Sequence, residues 1–192
     1  DDDKNGYVDD IYGYNFALNS PILSWSREGD VGHATHVGGT IAAVNNNGIG
    51  VAGVAGGSGK NDGVRLMSCQ IFYGDRGTYS HNVARAIRYA ADNGAVIANN
   101  SWGYPAGDMI SDSMFKKYDK LVYEAFEYFE TEAQLDGVID GGIIIFAAGN
   151  ESTGMSSYPA AYHDYISVSA MGADYTATYY TNYGPGVNIC AP

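Results

Sequence analysis

The sequence predicts one α/β domain with a mostly parallel β-sheet over residues 1–192. Short apolar runs alternate with helical segments along the chain, an order typical of parallel sheets. The run Ile143–Ala147 is apolar at every position, as expected for a strand that is covered on both faces. The length is sufficient for one sizeable core, and no internal repeat or interdomain linker divides it.

The first predicted helix is built from small residues. Residues 32–43 read Gly-His-Ala-Thr-His-Val-Gly-Gly-Thr-Ile-Ala-Ala, which places His33 at the start of a slim helix. Ala34, Gly38 and Gly39 are small enough for this helix to be buried while His33 faces a cleft.

The next elements alternate in type. Residues 64–72 predict a strand, and Ser80 can cap a helix that ends near Gly94. Residues 95–101 predict another strand.

The second half of the chain begins with a long amphipathic helix over residues 111–134. Its inward candidates are Met114, Leu121, Ala125 and Phe129. Strands are then predicted at 143–147, 165–170 and 187–190.

Composition excludes several classes of partner. The formal net charge is −12, which disfavours nucleic acid and anionic membranes. No apolar run approaches the ~20 residues of a membrane-spanning helix, and no signal peptide is present.

Cys69 and Cys190 are too few for a disulfide scaffold, and we expect buried strand thiols rather than a bridge.

His33 is the strongest candidate for chemistry. A neutral imidazole at the mouth of a helix can accept and return a proton near pH 7. A buried histidine that caps a helix is the structural alternative. His33 and His36 as two metal ligands on one helical face is another alternative, but no acidic or cysteine partner accompanies them there.

Asn150 is the second candidate. It follows an apolar strand and an Ala-Ala-Gly turn, so its amide is expected at the carboxyl end of the sheet, where ligands bind in α/β folds. A carboxamide there can donate a hydrogen bond to an oxyanion. The alternative is an asparagine that accommodates a turn.

These motifs together resemble the subtilisin-like serine proteases (subtilases, peptidase S8). The resemblance rests on residues 32–43, on Ile144–Asn150 and on Asn100–Gly103, and it covers nearly the whole chain. It implies a subtilisin-like three-layer fold, with His33 as general base, His36 as a structural residue and Asn150 as oxyanion donor. Ala34 stands where the family most often has glycine, which is tolerated if its φ is negative.

The resemblance also implies a substrate-binding segment. Ser101, Trp102 and Gly103 match the strand whose backbone pairs with an extended peptide. For Ser101, a strand-end serine that only bonds local backbone is an alternative of at least equal weight. Tyr158–Ala160 matches a part of the family that is mainly structural.

The chain has no recognisable nucleophile segment and no recognisable triad aspartate. Asp30 lies three residues before His33, and we do not expect it to reach the His33 ring as the triad carboxylate. We therefore expect the central part of a catalytic domain, incomplete at both ends and inactive alone by the Asp-His-Ser route. The alternative is a degenerate, non-catalytic subtilase that binds peptides or has a structural role.

Residues 1–9 resemble the start of a calcium loop, but Tyr12 replaces the bidentate glutamate of a complete EF-hand. A solvated acidic turn is the interpretation we favour, and a partial structural calcium site is the alternative. No cofactor is expected for catalysis.

The expected partner is a polypeptide substrate, with no nucleic acid or membrane. Self-association or pairing with missing segments is also expected, because unpaired strand edges promote it. The family implies a secreted, periplasmic or cell-surface location.

Overall fold

The computed structural model describes residues 2–24, 32–74 and 76–192. They belong to two compact units, Asp1–Ala86 and Ile87–Pro192. That the chain behaves as one domain remains a prediction. Within the described ranges, no helix has the length and apolar character needed to cross a membrane.

The first unit has little regular structure. Strand β1 (Gly13–Asn15) pairs in parallel with β2 (Ser68–Gln70). Gly13 has a φ of 117°, and a side chain there would overlap the backbone of Ser68, so the close strand pairing requires glycine. Helix α1 covers His33–Ala42, and helix α2 (Ser80–Asp92) begins in this unit.

A small aromatic cluster forms the core of the first unit. Tyr7, Tyr14 and Phe16 contact one another edge to face, with ring centroids 4.7 to 5.6 Å apart. The guanidinium of Arg85 lies 5.6 Å from the Phe16 ring centroid and 5.7 Å from that of Tyr7. Helix α2 is thereby attached to the amino-terminal segment.

The elements of the second unit are β3 (Ile97–Asn100), α3 (Asp112–Tyr118), α4 (Lys120–Glu132), β4 (Gln134–Leu135), β5 (Ile139–Asp140), β6 (Ile143–Ala147), β7 (Ile166–Ala170) and β8 (Ile189–Ala191). Four of these strands form a parallel sheet in the order β3-β6-β7-β8. Strands β4 and β5 form a separate antiparallel hairpin. The α/β class with a mostly parallel sheet is confirmed, with four helices in the described residues.

Aromatic side chains fill the space between α4 and the sheet. Phe126 is fully buried, and its ring centroid is 5.4 Å from that of Phe146 on β6 and 5.3 Å from that of Tyr165. Trp102 stacks on Phe126 from the end of β3. This packing fixes the carboxyl ends of β3 and β6 against one helix.

The predicted helix over 111–134 is wrong in one respect, because the structure breaks it into α3 and α4 at Asp119. Asp119 has a non-helical backbone and accepts a hydrogen bond from the hydroxyl of Tyr104. Leu121 is exposed, contrary to our expectation, and its neighbour Val122 is buried instead. Ala125 and Phe129 are buried as predicted, whereas Met114 is half-buried.

The strand predictions differ in accuracy. Strand β6 has the predicted bounds of 143–147, although only Ile144 and Phe146 are fully buried. The strand predicted at 64–72 is shorter, since only residues 68–70 pair with β1. Strands β1, β4 and β5 were not predicted.

Candidate functional site

His33 is the first residue of α1, and its side chain is exposed. Gly32 precedes it with a left-handed backbone, φ 69° and ψ 17°, and accepts a hydrogen bond from the His36 amide at 2.9 Å. Ala34 lies inside the helix with negative φ, so its replacement of glycine introduces no backbone strain.

The expectation that α1 is buried is wrong for this structure. None of its residues is buried, including those on the glycine-containing side. A side chain at Gly38 would lie 3.3 Å from the Leu66 side chain, and one at Gly39 would lie 3.9 Å from that of Val51. At these two glycines, only one side chain each would lie within 4 Å of an added Cβ, so this side of the helix is not closely packed.

The carboxyl end of α1 is held by the following loop. The amides of Gly53, Val54 and Ala55 donate to the carbonyls of Ala43, Thr40 and Ile41 at 2.8 to 2.9 Å. These carbonyls are among those that a helix end leaves without intrahelical partners. The loop thus fixes the end of the helix opposite to His33.

Asn150 follows β6 in the second unit, through a turn at Ala148 and Gly149. Gly149 has a φ of 108°, and a side chain there would overlap the side chains of Asn182 and Ser157. Only glycine fits this position. The Asn150 side chain is exposed at the carboxyl end of the sheet, where the sequence predicted it.

A cavity of about 270 Å³ lies at this edge of the sheet. Its lining includes Asn99, Ser101, Asn150, Ser169 and Thr181. The structure therefore brings together Asn150 and Ser101, which the sequence had placed on consecutive strand ends. A second cavity, of about 330 Å³, is lined only by the β4–β5 hairpin segment 134–140 and has no such convergence of strand ends.

Side-chain hydrogen bonds and ring contacts hold the segment Ser101–Gly103. The indole nitrogen of Trp102 donates to the Asn100 side chain at 3.0 Å, and its ring packs on Phe126 and Phe146. The Ser101 hydroxyl accepts a hydrogen bond from the Asn99 amide at 3.3 Å. A side chain at Gly103 would lie 3.2 Å from the Tyr158 carbonyl, so close approach of the 157–158 segment accounts for glycine here.

The predicted residues are divided between the two units. His33 and His36 belong to the first, and Asn150 and Ser101–Gly103 belong to the second. Asp30 lies outside the described residues. Among those described, no group of three or more His, Cys, Asp or Glu side chains is arranged to hold a metal ion.

The two cysteines are free thiols. Burial raises the pKa of the Cys69 thiol to about 12. Cys190 lies in β8 as predicted but is exposed, so the expectation of two buried thiols is wrong for this residue.

Comparison with known proteins decides the family. The model of the subtilase family, peptidase S8, matches residues 3–192. The chain belongs to the subtilase family.

Several proteases are similar to this subtilase chain. Subtilisin BL of Lederbergia lenta is 31% identical over 94% of the chain and 56% of its own length. The halolysin-like extracellular serine protease Nep of Natrialba magadii is 30% identical over the whole chain and 30% of its own length. A protease structure from Pseudoalteromonas arctica aligns with a TM-score of 0.67 at 26% identity, over 86% of this chain and 44% of that one.

These similarities confirm the subtilisin-like fold that the motifs implied. The chain spans about half, or less, of the length of the curated relatives that it matches. The roles of individual residues remain predictions.

Sequence reasoning missed the residues that surround the Asn150 turn. Asn182 is fully buried, and its backbone amide donates to the Gly149 carbonyl at 3.0 Å. It lies in a tyrosine-rich stretch with no helix or strand pattern, so only the folded chain reveals its position beside β6.

Proposed function

We propose that the protein carrying this chain is a serine endopeptidase. The observation that carries the proposal is the position of Asn150 in a chain of the subtilase family. Its amide is exposed in a cavity at the carboxyl edge of the sheet, next to the strand end that carries Ser101. A carboxamide exposed at this edge can donate a hydrogen bond to the oxyanion of a tetrahedral intermediate.

Each predicted residue has a role in this proposal. A serine hydroxyl attacks the scissile carbonyl while His33 accepts its proton. The C–N bond then breaks as the imidazolium returns that proton to the leaving amine. Asn150 donates to the oxyanion between these steps, and the backbone of Ser101–Gly103 binds the extended substrate.

We further propose that the serine and the aspartate of the triad lie outside these 192 residues. The support is the absence of a recognisable nucleophile segment from the sequence. Without a serine no acyl-enzyme forms, so the chain alone would not hydrolyse peptides by this route.

A fluorophosphonate probe tests both proposals. We expect stoichiometric labelling of the protein encoded by the complete gene and no labelling of the 192-residue chain. Labelling of the chain alone would contradict its proposed inactivity. A complete gene product that is folded but neither labelled nor proteolytic would support the non-catalytic alternative.

The protein is proposed to act outside the cytoplasm. The support is the name of one relative, which describes an extracellular protease. Polypeptides are the proposed substrates for the same family reason.

We also propose that the isolated chain self-associates. Strands β3 and β8 are the edge strands of their sheet, and Ile97 and Ile189 on them are more than half exposed. Exposed apolar strand ends favour pairing with a second chain. Light scattering should show species larger than 20.4 kDa at high concentration, and a stable monomer would contradict the proposal.

The calcium hypothesis remains a prediction. In the described part of the amino-terminal loop, the side-chain nitrogen Nδ2 of Asn5 donates to the carboxylate of Asp3 at 3.0 Å and to that of Asp10 at 2.8 Å. These two carboxylates therefore have a neutral hydrogen-bond donor between them. No step of the proposed mechanism depends on a metal.

A further inference from the structure

One buried side chain, that of Asn182, forms hydrogen bonds to the backbone on both sides of the turn that carries Asn150. Asn182 has no exposed surface and lies far along the chain from the turn. Its Oδ1 accepts hydrogen bonds from the amides of Glu151 at 3.0 Å and Thr153 at 3.3 Å. Asn182 therefore fixes the backbone immediately after Asn150.

The other side of the same carboxamide reaches the backbone before Asn150. The Asn182 Nδ2 donates to the Ala148 carbonyl at 3.1 Å and to the Glu151 carboxylate at 2.6 Å. The Ser157 hydroxyl lies 3.2 Å from Nδ2 and donates to the same carboxylate at 3.3 Å. All atoms of the carboxamide that can form hydrogen bonds are thus used on this turn.

Asn182 is itself anchored to the sheet. The hydroxyl of the preceding residue, Thr181, accepts a hydrogen bond from the Ala170 amide at the end of β7 at 2.8 Å. The Asn182 backbone amide donates to the Gly149 carbonyl. The turn after β6 is therefore tied to the end of β7 through two consecutive residues.

An oxyanion donor is effective when its direction is set before the reaction, so that no reorganisation is needed in the transition state. Asn150 is exposed, whereas the residues on both sides of it are bonded to Asn182. We infer that Asn182 is a positioning residue, which sets the direction of the Asn150 amide by holding the backbone of residues 148–153. This inference rests on the proposed endopeptidase function.

Aspartate, leucine and alanine cannot form all the hydrogen bonds of Asn182. Aspartate keeps the two acceptor contacts but cannot donate, and it places a second carboxylate against Glu151. Leucine or alanine removes both kinds of hydrogen bond and leaves the amides of Glu151 and Thr153 without this partner.

The first test measures kinetics in the protein encoded by the complete gene. We expect Asn182→Ala to lower kcat by about 10- to 10²-fold with KM changed less than about threefold, because a small misplacement of a catalytic group costs rate rather than binding. Ser167→Ala is the matched control. It removes a buried hydrogen bond to Ser156, 2.8 Å long, that does not involve the turn, and should leave kcat unchanged.

The second test is a rescue. Asn182→Asp should also lower kcat, and adding Glu151→Gln should restore part of it, because the Gln amide can donate to the Asp carboxylate across the same contact. The pair keeps the side-chain volumes, so it remains informative if Asn182→Ala does not fold. A merely structural role predicts recovery of stability without recovery of kcat.

A third measurement does not depend on activity. Hydrogen exchange in the 192-residue chain should show faster exchange of the Glu151 and Thr153 amides in Asn182→Ala than in Ser167→Ala. Unchanged exchange, or an unchanged kcat in an active protein, would overturn the positioning role alone. Absence of hydrolysis by the unmodified complete protein would instead overturn the proposed function, and the catalytic part of this inference with it.

Discussion

The two units present their candidate residues in different ways. His33 begins a helix with no buried residue, held at its opposite end by loop amides. Asn150 follows a strand whose neighbours are buried aromatic side chains, and its turn is bonded on both sides to Asn182. The turn that carries Asn150 is therefore held by hydrogen bonds within the second unit, whereas the helix that begins at His33 has no buried residue and is held at its far end by loop amides.

The difference agrees with what the proposed role of Asn150 requires of the fold. A donor that stabilises an oxyanion must not move, and dense packing with complete hydrogen bonding provides this. Helix α1 contains no Asp, Glu, Lys or Arg, and yet none of its residues is buried. Its exposed position does not require so apolar a sequence.

The largest expected effect is loss of the base. In the protein encoded by the complete gene, His33→Ala should lower kcat by up to about 10⁶-fold, the loss known for removal of the base from a subtilisin. His81→Gln, at an exposed histidine of α2, is the control and should be silent. Assay of a chromogenic peptide checks both, and a His33→Ala enzyme with normal turnover would show that His33 is not the base.

Next in size is the stability difference between the units. Phe126→Ala should lower the free energy of unfolding by about 3–5 kcal/mol, because its ring is fully buried among other rings. Ile41→Ala in the half-buried side of α1 should cost about 1 kcal/mol or less. Urea denaturation of the 192-residue chain measures both, and equal losses would remove the contrast between the units.

Loss of the oxyanion donor should come third. Asn150→Ala should lower kcat by about 10²–10³-fold, a magnitude already measured for such a donor in a subtilisin. KM should change little, since the amide acts mainly in the transition state. Asn93→Ala, which removes an amide at the end of α2 outside the cavity, is the control. An Asn150→Ala enzyme that lost only substrate affinity would favour a binding role.

The smallest effect concerns a carboxyl group of the second unit. Burial, followed by repulsion from Asp164 and Glu127, raises the pKa of Glu130 from 4.5 to about 7. The folded state then binds the proton more tightly than the unfolded state. Its contribution to stability is present below pH 4.5 and is lost as the pH rises through about 7.

Glu130→Gln should therefore raise the free energy of unfolding, relative to the unmodified chain, more at pH 8 than at pH 4. The gain is expected to be about 1 kcal/mol, since a half-exposed group is screened by solvent. Melting curves at the two pH values check this. A greater gain at pH 4 would reverse the assigned sign.

How far the sequence predicts the structure depends on the range of the interactions involved. Strand β6 and the site of Asn150 follow from a local run of apolar residues ending in a glycine turn, and the structure has both. The break at Asp119 coincides with a hydrogen bond from the Tyr104 hydroxyl, a contact that periodicity along residues 111–134 does not reveal. The helix was therefore predicted as continuous, with Leu121 assigned to the buried face in place of Val122.

The candidate site shows the same limit. The Ser101–Gly103 segment and Asn150 were predicted from motifs that lie at strand ends, and they line or adjoin one cavity. Asn182 has no motif of its own, and its importance arises only from hydrogen bonds to residues distant in sequence. The exposure of α1 was also not predictable, because an apolar, small-residue helix is usually buried.

A double-mutant cycle tests the central claim most directly, namely that a turn preset by Asn182 presents Asn150 to the oxyanion. Turnover would be measured for Asn150→Ala, Asn182→Ala and the double variant of the protein encoded by the complete gene. If Asn182 acts through Asn150, kcat of the double variant should equal that of Asn150→Ala within about threefold. If the two losses multiply instead, the residues act independently and the claim is wrong.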